Sequence, residues 1–397
     1  MEGASLKLSS LRGTFELSGV EYGKTYVVLG SPLRVTHKDF ETDIDVDVTP
    51  VEPRTIKLEL GRSAEMVELT FRSRVMAAHN GDDDGGQQGG PRPFRILALN
   101  GGGMRGVFVG VVASMLEALF GRPLYEVFDL IVGTSSGAIV GTGASLESGM
   151  PWKSRADETT EGILLYGDAN VVHKRGYLTG YLSDTPRLET AYMRYVGEQT
   201  MADVVKTELG LCALDMTVGR PVLITKDNYP ALKIWQGVRA SSAAVPYFEP
   251  MKLPDGHVMF DGGFVANNPA VFALAHAREK HGWERSYSIL HIGSGRAPPP
   301  DLTGCERWTG VSLAKMMLET VSDRNNGLWR TYLETEVAQS EGRLKYVSLD
   351  PGLTTASYAT GDYSPANLAA LAQDAYEYVT HTDLSAVLEN FFSPRRV

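Results

Sequence analysis

Apolar and polar positions alternate through the first part of the chain. Thr25-Tyr26-Val27-Val28-Leu29 is β-branched and aromatic, and Asp43-Ile44-Asp45-Val46-Asp47-Val48 repeats with a period of two. Thr55-Ile56-Lys57-Leu58-Glu59-Leu60 alternates again, and Val67-Glu68-Leu69-Thr70-Phe71 follows. A period of two sets one face in water and the other in a core, so these segments predict a small antiparallel sandwich or barrel. The pattern then changes. Phe94-Arg95-Ile96-Leu97-Ala98-Leu99 and Phe128-Asp129-Leu130-Ile131-Val132 are short apolar runs. Val107 to Phe120 is apolar nearly all round, as a buried helix is, and Gly137 to Leu146 is small enough to pack closely on a strand. Strands alternating with helices predict an α/β domain with a parallel sheet covered on both faces. Further strands are predicted at 209–217, 221–226, 231–235 and 286–292. A helix is predicted over 364–378, with Ser364 as N-cap and Pro365 at N1.

The break between the two patterns is compositional. Residues 81–90 read Gly-Asp-Asp-Asp-Gly-Gly-Gln-Gln-Gly-Gly, followed by Pro91-Arg92-Pro93. Such a stretch is a solvated linker. The expected organisation is a β-rich accessory domain at 1–80, a flexible linker at 81–93 and the α/β domain at 94–397.

A chain of 397 residues with 43% hydrophobic and 22% charged residues has the balance of an ordinary globular protein. Its net charge of −10 argues against nucleic acid as a partner, since that requires a cationic surface. Its two cysteines, Cys212 and Cys305, are too few for a disulfide framework and fit a reducing, cytoplasmic setting. We read no signal peptide at the N-terminus and no apolar run of the roughly 20 residues that span a bilayer. A lipid substrate would therefore be met by transient association from the water side.

Three motifs carry chemistry. Asn100-Gly101-Gly102-Gly103-Met104-Arg105-Gly106 lies between a predicted strand and a predicted helix. Successive glycines let backbone N–H groups converge, and the helix start adds positive potential, so this loop suits an anion. It also satisfies G-x-G-x-x-G, so a dinucleotide loop and a plain tight turn stay open on this motif alone. Gly133-Thr134-Ser135-Ser136-Gly137 follows a buried strand and opens a helix, the context of a nucleophile elbow. With 42 glycines in the chain the pattern alone is weak, and the strand–turn–helix setting supplies the force. Ser136 competes as nucleophile but is off register. Asp261-Gly262-Gly263 closes the set with a carboxylate, for which a turn aspartate is the plainer alternative.

Together the three motifs resemble the patatin-like phospholipase family. Ala240-Ser241-Ser242-Ala243-Ala244-Val245-Pro246-Tyr247-Phe248, Gly219-Arg220-Pro221-Val222, Ile292-Gly293-Ser294-Gly295 and Ser364-Pro365-Ala366-Asn367-Leu368 look like the same family, in family order from about 94 to 380. The resemblance implies a patatin-like three-layer fold with a mostly parallel sheet. It implies hydrolysis of phospholipid acyl esters by a Ser–Asp dyad, with Ser135 as nucleophile and Asp261 as base. It implies an oxyanion hole at Gly101, Gly102, Gly103 and Arg105, an elbow framed by Gly133 and Gly137, and a motif completed by Gly262 and Gly263. It calls for no cofactor and no metal. Asn100 stands where many members have Asp, a form similar to phospholipase effectors of bacterial cyclic-oligonucleotide antiviral systems. That similarity adds a cyclic-nucleotide activator as an expected partner; the oligomeric state stays open.

Two rival readings are kept. His291 follows Ser135 and Asp261 in the order of a Ser–Asp–His triad. A patatin-like fold that holds lipid or nucleotide without turnover is the non-enzymatic alternative. Other candidates have plainer roles. His37 and His79 read as surface residues, His276 as structural and His257 as a turn histidine. Asp43, Asp45 and Asp47 read as a solvated acidic face ahead of a calcium site. Residues 151–200 are expected to wall the site, with an apolar stripe of Tyr192, Met193, Tyr195 and Val196, and Tyr247 and Phe248 are candidates for an acyl pocket.

Overall fold

The computed structural model describes residues 92–148, 154–167, 184–296 and 301–391, together with the backbone of six strands within residues 4–71. The predicted strands at 25–29 and 43–48, His79 and residues 81–91 of the predicted linker fall outside the described residues, while Arg92 pairs with Asp129. The chain divides into two compact units, Met1–Gly89 with Ser114–Arg122 and Gly90–Ala113 with Pro123–Val397.

In the first unit, β1 (Ala4–Ser10), β2 (Gly13–Val20), β3 (Arg34–His37) and β4 (Phe40–Glu41) form an antiparallel sheet in the order β2-β1-β3-β4. A separate hairpin pairs β5 (Arg54–Leu60) with β6 (Glu65–Phe71), in register from Arg54↔Phe71 to Leu60↔Glu65. These are the two alternating segments that the hydropathy pattern marks at 55–60 and 67–71.

The second unit is built on one mixed sheet of eight strands. Its parallel part comprises β7 (Phe94–Leu99), β8 (Leu130–Thr134), β9 (Glu208–Asp215), β13 (Tyr287–Ile292) and β14 (Leu344–Leu349), in the order β9-β8-β7-β13-β14. An antiparallel margin of β10 (Arg220–Ile224), β11 (Met251–Lys252) and β12 (Val258–Asp261) hangs on β9. β7, β8 and β13 are buried along their whole length, which is why they read as continuous apolar runs.

Alternate side chains leave the sheet on opposite faces. Ile96, Ala98, Leu130, Val132 and Ile289 pack on one face with Ala273 and Leu274 of a helix at Ala270–His281 and Leu333 of a helix at Gly310–Gln339. Leu209, Leu211 and Ala213 belong to a second core with Ala138, Tyr192 and Val238. Those residues come from α2 (Ser136–Ser145), α4 (Thr185–Val196) and α5 (Ile234–Ser241). The sheet thus has helices on both faces, giving the three-layer α/β architecture. α1 (Gly106–Phe120) is buried, as its composition predicts. The segment Gly103–Phe120 is long and apolar enough to cross a membrane, but 78% of it is buried inside the protein. Tight packing by small residues is visible where Gly110 of α1 meets Thr160 of α3 (Ala156–Gly167), leaving no room for a Cβ.

One prediction is corrected here. Residues 231–235 are not a strand; α5 begins at Ile234, where the Lys233 N–H donates to Gln236 Oε1 at 3.3 Å. Leu232, Ile234 and Val238 are all buried in the second core, and that burial is satisfied by helical spacing. The helix predicted over 364–378 is α8 (Pro365–His381), and Ser364 Oγ accepts the Asn367 N–H as the N-cap.

Candidate active site

The parallel strands end at one level, and the site lies beyond their carboxyl ends. Leu99 pairs with Gly133 on one side and Ile292 on the other, while Thr134 pairs with Cys212 and Asp261 with Ala213. Asn100, Ser135 and Gly293 therefore leave the sheet together. β9 lies between β8 and β12, and Asp261 enters from its far side. This is where α/β sheets place their ligands.

Ser135 occupies a sharp strand-to-helix turn with φ 53° and ψ −121°, a conformation that side chains rarely adopt. The flanking glycines make the turn possible. A Cβ on Gly133 would fall 2.2 Å from the Gly137 carbonyl oxygen, and one on Gly137 would fall 2.3 Å from the Leu99 oxygen. Ser136 points elsewhere: it is buried, and its Cβ meets the position that a side chain on Gly106 would occupy.

Asp261 ends β12 and is 2% exposed. Burial pushes its carboxyl up to about 6, while the Ser135 hydroxyl, the Gly263 N–H and the charge of Arg239 pull in the other direction. The Gly263 N–H donates to Asp261 Oδ1 at 2.6 Å. Oδ2 is buried with no partner of full hydrogen-bond geometry among the described residues. The influence of Ser135 on this carboxylate and the lack of a tight bond agree if the serine contact is long, as is common before substrate arrives. Gly262 lies against the Cys212 carbonyl, 2.3 Å from where its Cβ would be, so the carboxylate sits in a closely packed turn.

The glycine loop is held from four sides. Gly101 exchanges backbone contact with Asn267, its carbonyl accepts from Asn267 Nδ2 at 3.2 Å and from Ser294 Oγ at 2.7 Å, and the Met104 N–H reaches the Thr360 carbonyl. The N–H groups of Gly102 and Gly103 are left without a protein acceptor among the described residues. Gly103 has φ +57°, and a side chain there would strike the Thr360 carbonyl. Arg105 is 1% exposed and donates from Nη1 to the Gly295 carbonyl at 2.9 Å. It braces the loop from inside.

His291 is not part of this group. Its Nε2 bonds Asn100 Oδ1 at 2.7 Å, and its Nδ1 faces Ser348 Oγ at 2.8 Å and the Tyr346 hydroxyl at 3.2 Å. Both ring nitrogens are engaged, and neither Ser135 nor Asp261 is a partner. Burial pushes its pKa down to about 3, which keeps the ring neutral. His276 pairs with Glu208 at 2.6 Å and His257 with Asp215 at 2.5 Å, and neither partners Ser135 or Asp261. Glu208, Asp227 and His276 gather within 4.8 Å, but Lys280 Nζ already bonds both carboxylates and supplies the charge a metal would bring.

Four further side chains, without a role in the sequence reading, complete the site. Ser241 Oγ accepts the Ser135 N–H at 3.0 Å and donates to the Cys212 carbonyl at 2.5 Å. Arg239 is fully buried and adds positive potential at Asp261, balanced by Glu189 at 3.5 Å. Asn267 and Ser294 fix the Gly101 carbonyl. Ser241 and Ser294 lie in stretches that look like the family in sequence, but the aim of all four is set by the fold. Tyr192 packs in the core with its hydroxyl on Ser242, Met193 is 37% exposed, and Phe248 lies under Arg239.

Comparison with known proteins places this geometry. Residues 97–274 match the family model described as patatin-like phospholipase. A cGAMP-activated phospholipase of Escherichia coli (strain TW11681) is 28% identical over 283 residues, covering 64% of this chain and 79% of the relative. A cUMP-AMP-activated phospholipase of Escherichia coli is 28% identical over 251 residues, covering 57% and 73%. A cGAMP-activated phospholipase of Vibrio cholerae is 25% identical over 338 residues, covering 76% and 95%. With its elbow, carboxylate and glycine loop assembled at one end of the sheet, the chain carries a patatin-like phospholipase domain over residues 97–274.

Proposed function

We propose that the protein is a lipid acyl hydrolase that cleaves phospholipid acyl esters through a Ser135–Asp261 dyad and an acyl-serine intermediate. The observation that carries this reading is the buried Asp261 carboxyl, raised to about 6, acting on the hydroxyl of a strained elbow serine. A base with a pKa near the working pH combines the right protonation state with useful driving force. Asp261 takes the Ser135 proton as Oγ attacks the ester carbonyl, then returns it to the departing alcohol. The Gly102 and Gly103 N–H groups face the developing oxyanion, and Arg105 holds their loop. Such donors contribute about 2.7–4 kcal/mol each in other hydrolases. Water activated by Asp261 then cleaves the acyl-serine.

The relatives' names support one finer part of this reading, activation by a cyclic dinucleotide; service as a regulated, membrane-degrading effector in antiviral defence is proposed with it. On this view the protein resides in the cytoplasm, visits the membrane transiently, and carries residues 1–80 as an accessory domain joined by a linker to the catalytic domain at 94–397. The test is digestion of phospholipid vesicles by purified protein, with and without cGAMP or cUMP-AMP, with products read by mass spectrometry. Free fatty acid that disappears with Ser135→Ala is the expected result. Release that survives that substitution would overturn the dyad, and binding of lipid without any release would favour the non-catalytic module.

A further inference from the structure

A cleft of about 460 Å³ opens on the side of the sheet edge, beside β14, with Arg296, Arg330, Tyr346, Ser348 and Tyr378 among its lining residues. The volume is that of a small-molecule site. The guanidinium of Arg296 has no ion pair or hydrogen bond among the described residues, and the buried Nε of Arg330 makes no hydrogen bond, its partner being Glu334 at 3.6 Å in an ion pair. One unpaired cation and one held only by a long ion pair, beside two tyrosine rings, suit a ligand with phosphates and flat aromatic bases. Asp350, on the same wall, is an acceptor for sugar hydroxyls or base N–H groups, while Glu334 is the ion-pair partner that a phosphate would replace on Arg330.

The cleft shares its wall with the catalytic loop. Tyr346 and Ser348 line it and bond His291, which bonds Asn100, the residue that opens the glycine loop. The Tyr346 hydroxyl also accepts from Asn268 Nδ2 at 3.4 Å, next to the Asn267 that holds the Gly101 carbonyl. The turn after β13 touches both sides as well. Ser294 and Gly295 bind Gly101 and Arg105, while the Arg296 N–H bonds the Pro351 carbonyl in the cleft wall. Asp350 presses on Gly293 so closely that a Cβ there would lie 1.8 Å from its Oδ1. A ligand that moves Asp350, Tyr346 or Arg296 has short, packed routes to the oxyanion donors.

We infer that this cleft is the effector site: a cyclic dinucleotide seats its phosphates on Arg296 and Arg330 against Tyr346 and Tyr378, and sets the glycine loop through His291–Asn100 and the turn Gly293–Arg296. The inference rests on the reading of the protein as an activated hydrolase, and its test separates the two. The full chain carrying Ser135→Ala is titrated calorimetrically with cGAMP and with cUMP-AMP, alone and with Arg296→Gln, Arg330→Gln or, as a remote control, Arg307→Gln. One of the two nucleotides is expected to bind, with affinity falling at least roughly tenfold for each cleft variant, the loss of a charge-assisted contact. The control should bind as the parent. Undiminished binding in both cleft variants, or no binding of either nucleotide by the parent, overturns the assignment. Arg296 is exposed on a turn, so its substitution keeps the test valid if Arg330→Gln fails to fold. Ester release by the unsubstituted protein, measured separately, decides the hydrolase reading whatever the titrations show.

Discussion

The backbone N–H of Ser135 donates to Ser241 Oγ at 3.0 Å, across 106 residues of sequence. The Ser241 hydroxyl in turn donates a hydrogen bond to the Cys212 carbonyl on β9, the strand that separates Ser135 from Asp261. A positive φ persists at a non-glycine residue only where the surroundings over-determine it. Ser241 is one of those constraints. Ser241→Ala strands a partly buried N–H and a buried carbonyl, so we expect a loss of about 1–3 kcal/mol in unfolding free energy. Turnover should fall by about ten- to a hundredfold as the nucleophile loosens. Chemical denaturation and ester kinetics on the same preparation check this. Native stability together with native kcat would show that the bond does not hold the elbow.

The raised carboxyl of Asp261 ties activity and stability to opposite sides of one pH window. The base must be ionised, so kcat/KM should decline below about pH 6. The sign for stability runs the other way. The native state takes up the Asp261 proton more readily than the unfolded chain, whose carboxyl has the ordinary value of 3.8. The contribution of Asp261 to stability is therefore present below about pH 3.8 and is lost as pH rises to about 6. Asp261→Asn should abolish turnover by at least about a hundredfold. It should also stabilise the fold above pH 6 by up to roughly 3 kcal/mol, with no gain below pH 4. Thermal melts of both proteins at pH 4 and pH 8 provide the comparison. A variant less stable than the parent at pH 8 would contradict the buried, uncompensated carboxylate.

The glycines of the elbow differ in kind from glycines elsewhere. A Cβ on Gly133 or Gly137 lands 2.2 or 2.3 Å from a backbone oxygen, and neither backbone has anywhere to go. Gly133→Ala and Gly137→Ala should each cost more than about 3 kcal/mol or prevent folding. Gly327 sits in the interior of α7 (Gly310–Gln339) with nothing within 4 Å of its missing Cβ. Gly327→Ala should be neutral or stabilise by up to about 1 kcal/mol. Soluble yield and urea midpoints rank the three. Equal tolerance at all three positions would mean that the strand and helix of the elbow are not in close contact.

Much of the catalytic unit is legible in sequence because burial on both faces leaves continuous apolar runs at β7, β8 and β13. The segment at 231–235 misleads for a related reason. Leu232 and Ile234 flank Lys233 with a period of two, yet Ile234 and Val238 complete a helical stripe that the second core selects. β12 is short and Met259 is its one buried apolar residue, so it gives no run to read. Ser135, Asp261 and the glycine loop are legible through backbone demands that force particular residue types. Ser241, Asn267 and Arg239 are not, because serine, asparagine and arginine tolerate many settings. What gives them a role is the direction of one oxygen or one charge after residues more than a hundred positions apart have met.

His291 separates a dyad from a triad. Its two nitrogens are taken by Asn100 and by Ser348 with Tyr346, and its ring stays neutral with a pKa of about 3. A catalytic histidine would face Ser135 and titrate near neutrality. Substitution by glutamine keeps a polar group in reach of Asn100 but removes the ring between the two walls. His291→Gln should therefore destabilise the fold by about 1–3 kcal/mol through its unsatisfied neighbours. Its effect on kcat should stay within about tenfold, well short of the roughly 10⁴-fold loss that follows removal of a triad member. The acid limb of kcat/KM should stay near pH 6, since Asp261 sets it. The discriminating measurement is a pH–rate profile of the variant on a soluble ester. Collapse of turnover with native folding, or loss of the limb, would make histidine the base and reduce Asp261 to its orienting partner.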